Sequence, residues 1–446
     1  LVEREKRASI CKREWLVVCG FSEEEPLKSI GLLALASCLT SGIVAAASVG
    51  FLTGPFYSTP YATPVVERPA AGDAGTFDGL LNLAEALPPS SIVKVLWTHG
   101  MCTHPPSWID DRVKRLEEAV GGTAETVSLR PVGRRGASLR TDRISVGGRT
   151  IEVKFLTWSP LTAPYKAALA YDSSTIDREG GPFARATLNR ELKHGLINDC
   201  LTDVVVYGGP NGNDIRQAMN ETVCEALGGH FDGTRCDVSE GDSPAALAIV
   251  TESLASKLVF DAVLNIWNAS QDNPDKTAIK HLVNSLAAMR VMYMLANQVP
   301  LLDAAGWVAP EGPLPASAPA KIQTSAGDVF GLLSRARRLA PPAAGPTTVV
   351  AFSDPNDLLS YRIVPQQLAE HFEELRVINV LVSNDSTYLG YIERPDTAHC
   401  GYPWNPHVFG MLARGYQAGK SLHSAPGLST GACPAFIQPD GPDTQR

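Results

Sequence analysis

Two spacings of apolar residues alternate along this chain. Short unbroken runs rich in Val, Ile and Ala are separated by longer stretches in which apolar positions return every three or four residues. The first spacing suits strands buried on both faces, and the second suits helices that lay one stripe on a sheet. Ile92 to Trp97 reads as a buried strand, followed by a loop from Thr98 to Trp108 and a charged amphipathic helix from Ile109 to Val120. Thr150 to Thr157 is the next strand, Pro164 to Cys200 is helical and loop-rich, and Asp203 to Tyr207 fits either a strand or a helix edge. Ala246 to Val250 is a short apolar strand that stops at Thr251-Glu252-Ser253, after which Leu254 to Trp267 has helical periodicity. Arg290 to Leu302, Thr347 to Ser353 and Arg376 to Val382 are further strands, with Pro310 to Ala320 a loop and Ala320 to Leu339 a helix. The expected fold is α/β: a doubly wound, mainly parallel sheet flanked by helices, with helical insertions.

The first ninety residues follow a different pattern. Residues 1–26 are charged, lack an amphipathic period and read as a disordered or non-native extension. From Ser29 to Val66 there is no charged residue, and Lys28 stands just before this stretch. Residues 27–54 are therefore expected to be a signal peptide or membrane anchor, since the apolar part is long enough to cross a bilayer. Within them Leu35-Ala36-Ser37-Cys38 is similar to a bacterial lipobox, which would make Cys38 a lipidation site. An uncleaved anchor and cleavage near Ala45-Ala46-Ala47 are the alternatives. Residues 55–91 then serve as linker and N-terminal cap to a domain spanning 92–446. The expected location is the cell envelope or outside the cell, with membrane contact through the N-terminal segment.

Composition narrows the function. With 446 residues and 44% hydrophobic content, the chain can bury a full core. Its net charge of -8 lacks the basic excess that nucleic-acid binding draws on. Without Cys38 and the first segment, six of the nine cysteines remain, an even set suited to an oxidising compartment. Cys224 and Cys236 flank a short loop and are the preferred pair; Cys102 with Cys400 is the second expectation.

The candidate chemistry lies where strands end. Ser253 follows a strand and precedes a helix, the arrangement that exposes a nucleophilic hydroxyl on a tight elbow. Crowding there favours small residues two before and two after the serine, and this chain has Thr251 and Ala255 in those places. His99-Gly100-Met101 directly follows the strand ending at Trp97. The strand Val349 to Ser353 runs into Asp354 and Asp357, and His399 and His407 lie beyond the last strand. Neither His99 with His104 nor Asp354 with Asp357 has the spacing of a zinc motif, so no metal and no cofactor is expected.

These segments, between Ile92 and Gly415, resemble the lipase- and esterase-like serine hydrolases of the α/β-hydrolase superfamily, in which nucleophile, acid and histidine follow in that order. The usual elbow pattern is G-x-S-x-G, and here both glycines are replaced. The resemblance implies Ser253 as nucleophile, His399 as base and Asp357 as its partner, with Asp354 and His407 in reserve. It further implies that His99 and Gly100 shape an oxyanion loop and that the amides of Met101 and Leu254 are the oxyanion donors. The substrate class it implies is a small-molecule or lipid acyl ester. A scaffold that has lost catalysis and binds a ligand or protein in the envelope is the alternative, motivated by the missing glycines.

Overall fold

The computed structural model describes residues 64–67, 74–179, 185–239, 243–273, 275–306, 325–340, 345–363, 374–387 and 392–422. The chain divides into two compact units, and almost all described residues belong to the unit formed by 59–385 and 394–446. The expected extension 1–26, the segment 27–54 with Cys38, and the loop 310–320 lie outside the described residues. Among the described residues, no helix is long and apolar enough to cross a membrane.

The strands are β1 (Val65–Glu67), β2 (Ile92–Thr98), β3 (Thr123–Val132), β4 (Ala137–Val146), β5 (Arg149–Thr157), β6 (Gly229–Phe231), β7 (Cys236–Val238), β8 (Ala246–Glu252), β9 (Met289–Leu295), β10 (Thr347–Ser353) and β11 (Leu375–Leu381). Nine of them form one sheet in the order β1-β11-β10-β9-β8-β2-β5-β4-β3, while β6 and β7 make a separate ribbon. The six central strands, β11 through β5, run parallel, and β1, β4 and β3 are antiparallel additions at the two edges. The protein is therefore α/β with a mixed, mostly parallel sheet.

Alternate residues of each central strand feed two separate apolar layers, as the period of two requires. Leu247 and Ile249 of β8 face one layer, and Ala248 and Val250 face the other. The first layer is closed by helices over Asn213–Ala226, Ala255–Gln271, Lys276–Ala287 and Ser325–Leu339, through residues such as Ile215, Leu258, Leu282 and Val329. The second is closed by helices over Leu80–Ala86, Ser107–Val120 and Pro406–Arg414, through Leu80, Trp108, Leu116, Phe409 and Leu412. All seven residues of β8 and all seven of β10 are buried, which is why they read as unbroken apolar runs.

One open alternative is decided and three local expectations change. Of strand and helix edge, Asp203–Tyr207 takes the helix, Thr202–Gly208, whose Val206 and Tyr207 turn inward while Val205 faces solvent. The run from Arg290 to Leu302 is a strand only to Leu295, and after a turn a short helix covers Val299–Asp303. Thr150 to Thr157 is the strand expected there, but the two strands before it in the β3-β4-β5 meander were not foreseen, and β3 is an edge strand whose mostly exposed, polar face hides the alternation. Gly147-Gly148, both with positive φ, closes its second hairpin and was the available signal. Within the stretch expected as linker and cap, β1 pairs with β11 and the helix Leu80–Ala86 buries four residues.

In chain order, β8 to β11 build outwards on one side of β2, while β5 lies on the other. The crevice beyond the carboxyl ends of β2 and β8 is thus a topological switch point, the place where open α/β sheets assemble their sites.

Candidate active site

Ser253 stands at this crevice with φ of 56°, one of three non-glycine residues at positive φ among the described residues. A serine in the left-handed region is strained, and such strain persists only where its surroundings fix it. Three contacts do so. The Ser253 amide donates to Leu295 O at 2.7 Å, tying the elbow to the end of the neighbouring strand. Glu252 is buried and takes a two-point bond from Arg112 at 2.9 and 3.0 Å, plus Trp97 Nε1 at 2.9 Å. Burial pushes the Glu252 carboxyl up, but the Arg112 charge and hydrogen bonds outweigh it and hold the carboxyl below its ordinary value. On the far side, Leu254 leads into the helix Ala255–Gln271.

The departures from the glycine pattern are accommodated. Thr251 is fully buried at the end of β8, and its hydroxyl lies 2.8 Å from Ser256 Oγ, so the larger side chain bonds the first turn of the following helix. Ala255 is fully buried and adds a single methyl.

His399 Nε2 lies 2.9 Å from Ser253 Oγ, and its Nδ1 lies 2.8 Å from Asp357 Oδ1. Nδ1 therefore carries the proton and Nε2 accepts from the serine, an assignment that follows from the partners. Asp357 is fixed in turn: Leu359 N donates to Oδ1 at 2.9 Å and the Tyr402 hydroxyl to Oδ2 at 2.9 Å. Burial raises the Asp357 carboxyl, while His399 and these donors overcome it and leave it lowered, so the group is ionised at neutral pH. All three side chains are buried, yet they come from positions 253, 357 and 399.

The reserve residues go elsewhere. Asp354 accepts from the amides of Asn356 at 2.9 Å and Asn384 at 2.6 Å, so its carboxylate shapes the turn after β10 rather than meeting His399. His407 sits in the first turn of the helix Pro406–Arg414, whose cap is the Asn405 side chain. His399 itself lies on a short helix, Pro395–Cys400, not in an open loop. Proline at its start concealed the helix in the sequence, since one turn gives no period to read.

His99 and Gly100 lie against the elbow. A Cβ on Gly100 would come within 2.6 Å of Ser253 Cβ and 2.7 Å of Glu252 O, so only glycine fits this approach. His99 Nδ1 is 2.8 Å from Gly100 O and Nε2 accepts the amide of Trp158 at 3.0 Å, while the ring stacks between His104 and Trp158. Burial first, then the neighbouring His104, lowers the His99 pKa well below its ordinary value and keeps the ring neutral. Among the described residues, the main-chain N–H groups of Met101 and Leu254 have no hydrogen-bond acceptor. Both residues are buried.

Next to Met101 the loop is cross-linked to the helical segment 163–208. Cys102, at φ 80°, is bonded to Cys200, not to Cys400 as expected; Cys400 is disulfide-bonded apart from it. The sequence placed Cys102 and Cys400 beside two site loops, but the segment that crosses the loop of Cys102 is the one carrying Cys200. Cys224–Cys236 forms as expected and ties the helix Asn213–Ala226 to β7. Asp203 accepts the Cys102 amide at 2.7 Å and Asp199 the Thr103 amide at 3.0 Å, and Lys166 bridges both carboxylates at 3.0 and 3.1 Å. Cys102, Asp199 and Cys200 are close enough to suggest a metal site, but both sulfurs are spent in the disulfide.

Sequence reasoning missed Lys166, Asp199, Asp203, Tyr402, Arg112 and Gln298, whose carboxamide nitrogen is 3.4 Å from His399 Nε2. A polar pair just beyond a buried strand, as Asn297 and Gln298 are one residue past the end of β9, was the one signal on offer. Comparisons with protein-family models, curated proteins and solved structures gave no match to this chain.

Proposed function

We propose that this protein is a serine hydrolase of the α/β-hydrolase type that cleaves an acyl ester through an acyl-enzyme. The observation that carries the reading is the unbroken relay from Ser253 Oγ through His399 to Asp357, at 2.9 and 2.8 Å, at the switch point of the sheet. A serine hydroxyl is a weak nucleophile until a base takes its proton, and an imidazole needs an anion at Nδ1 to hold the right tautomer. In this reading Ser253 Oγ attacks the acyl carbonyl as its proton passes to His399 Nε2. The amides of Met101 and Leu254 stabilise the negative charge that appears on the carbonyl oxygen. His399 then protonates the departing alcohol, and water reverses the steps to release the acid.

The lost elbow glycines motivated an inactive binding scaffold, and the packed Thr251 argues against it. A fluorophosphonate probe separates the two readings. Labelling of the wild type and its loss in Ser253→Ala support the hydrolase, and an unlabelled wild type ends it. Rates on p-nitrophenyl esters of increasing chain length then give the acyl preference. Attachment to the envelope through Cys38 belongs to the same proposal and is supported by the use of disulfides. Cys38→Ser should abolish incorporation of labelled fatty acid in the native host, and unchanged incorporation would exclude it.

A further inference from the structure

The segment between β9 and the helix Val299–Asp303 is held more tightly than a connection requires. Leu295 O accepts the amide of Ser253. Ala296, at φ 56°, is in the left-handed region that alanine avoids, and its amide is spent on Phe352 O at 3.2 Å. Asn297 is fully buried and clamps both sides: its Nδ2 donates to Tyr361 O at 3.0 Å, its Oδ1 accepts from Val299 N at 3.1 Å, and its carbonyl accepts from Tyr361 N at 2.8 Å. Gln298 O caps the next turn by accepting the amides of Leu301 and Leu302. The far end of that helix is anchored too, where Asp303 takes bonds from Ser325 and an ion pair with Lys257.

All this fixed backbone presents one side chain. Gln298 is 2% exposed, and among the described residues the only partner of its carboxamide is His399 Nε2, at 3.4 Å. That nitrogen has a single lone pair, which the Ser253 hydroxyl already occupies at 2.9 Å. The carboxamide is thus a buried polar group with little to bond beside the atom that pairs with Ser253, and the left-handed backbone of Ala296 lies two residues before it.

We propose that Gln298 donates to the oxygen that exchanges a proton with His399: the alcohol oxygen of the ester in acylation, and the water oxygen in deacylation. This rests on the serine-hydrolase reading. In acylation the Oγ–carbon bond forms, the carbon–alkoxy bond breaks, and the proton moves from Ser253 through His399 Nε2 to the alkoxy oxygen. In deacylation the water oxygen bonds the carbon, one proton of that water passes through His399 Nε2 to Ser253 Oγ, and the Oγ–carbon bond breaks to release the acid. Both oxygens occupy one place beside Nε2, so one donor serves both. The same place selects between water and an alcohol as acceptor.

The test uses Gln298→Met, of similar length without the amide, with p-nitrophenyl butyrate in water containing methanol. Turnover should fall by about tenfold or more, and the ratio of butyric acid to methyl butyrate should shift by about threefold or more, while the fluorophosphonate inactivation rate stays within about threefold of wild type. Unchanged turnover and ratio would overturn the proposal. So would a parallel fall in labelling and turnover at a constant ratio, which is the mark of a residue that only supports His399. Gln298→Glu, close to isosteric, measures the same ratio if the Met variant does not fold, and an unchanged ratio there is equally fatal. A wild type that is not labelled defeats the hydrolase reading itself, whereas a labelled wild type with an unresponsive ratio defeats this subsite alone.

Discussion

The two walls of the site are held by different physics. On one wall Ser253 directly follows β8, and Asp357 and Gln298 lie within four residues of the ends of β10 and β9, strands buried almost throughout, so their positions are inherited from the sheet. On the other, the loop His99 to His104 follows β2 and is secured by cross-links to a helical segment that exposes Leu169, Tyr171, Ile197 and Val205. Apolar burial is spread over many contacts and tolerates the loss of any one surface bond. A disulfide and a lysine on two carboxylates are few and specific, so each carries a large share of the loop's position. If the proposed hydrolase reading holds, the relay should thus fail only by direct substitution, and the wall of the loop His99 to His104 by cutting its ties.

The largest effect expected on the first wall short of removing the serine is that of Asp357→Asn. An amide at this position favours the wrong imidazole tautomer, and comparable changes cost about 10⁴-fold in kcat. Folding should be preserved, since the amide oxygen can still accept from Tyr402 or Leu359. Steady-state ester hydrolysis with a thermal melt checks both; a loss of less than about tenfold would place the working acid elsewhere.

Next comes the disulfide contrast, which sets the two walls directly against each other. Replacing Cys102 and Cys200 together by serine should lower kcat by roughly ten- to a hundredfold, because the Met101 amide loses its aim. Replacing Cys224 and Cys236 should cost about 3 kcal/mol of stability with kcat nearly unchanged, since that bridge joins the helix Asn213–Ala226 to β7, neither of which carries a site residue. Equal kinetic effects of the two would show that the loop does not depend on its bridge. Lys166→Met is a weaker cut of the same kind. Burial raises the Asp203 carboxyl and Lys166 opposes that rise, so without the lysine Asp203 is further disposed to hold its proton. A several-fold drop in kcat is expected, roughly additive with nothing else on the loop because the ties share one segment.

The same contrast explains how much of the molecule was legible in its sequence. The parallel core was, because strands buried on both faces leave unbroken apolar runs, and Ser253, Asp357 and His399 could be located by their order behind those runs. The edge meander was not, because β3 has little to bury. The partner of Cys102 was not either: a bridge between residues 98 apart depends on how a helical insertion folds back, which no local pattern encodes. Gln298 escaped because the boundary of β9 was set too late, at Leu302, and the polar pair Asn297-Gln298 was absorbed into the strand.

The smallest effect separates the walls by acidity. His104 stacks on His99 at 4.1 Å, and burial lowers its pKa to about 4, while burial and His104 together lower that of His99. Both groups bind a proton more readily in the unfolded chain, whose histidines titrate near about 6.5. The stability they permit is complete above that value and is lost as pH falls towards 4, where folded His104 titrates. On the other wall Asp357 is depressed, so its contribution is lost only below the ordinary carboxylate range of about 4. Between about pH 6.5 and 4.5 the decline therefore belongs to histidines, with half-buried His407, also lowered by burial, as a third contributor. His104→Phe keeps a ring on His99 and removes one titration. Denaturant melts at pH 7 and pH 5 should show its acid loss reduced by about 2 kcal/mol relative to wild type. Identical losses in the two proteins would mean that His104 protonates as freely folded as unfolded, and that the packing around the loop His99 to His104 is looser than that around the relay.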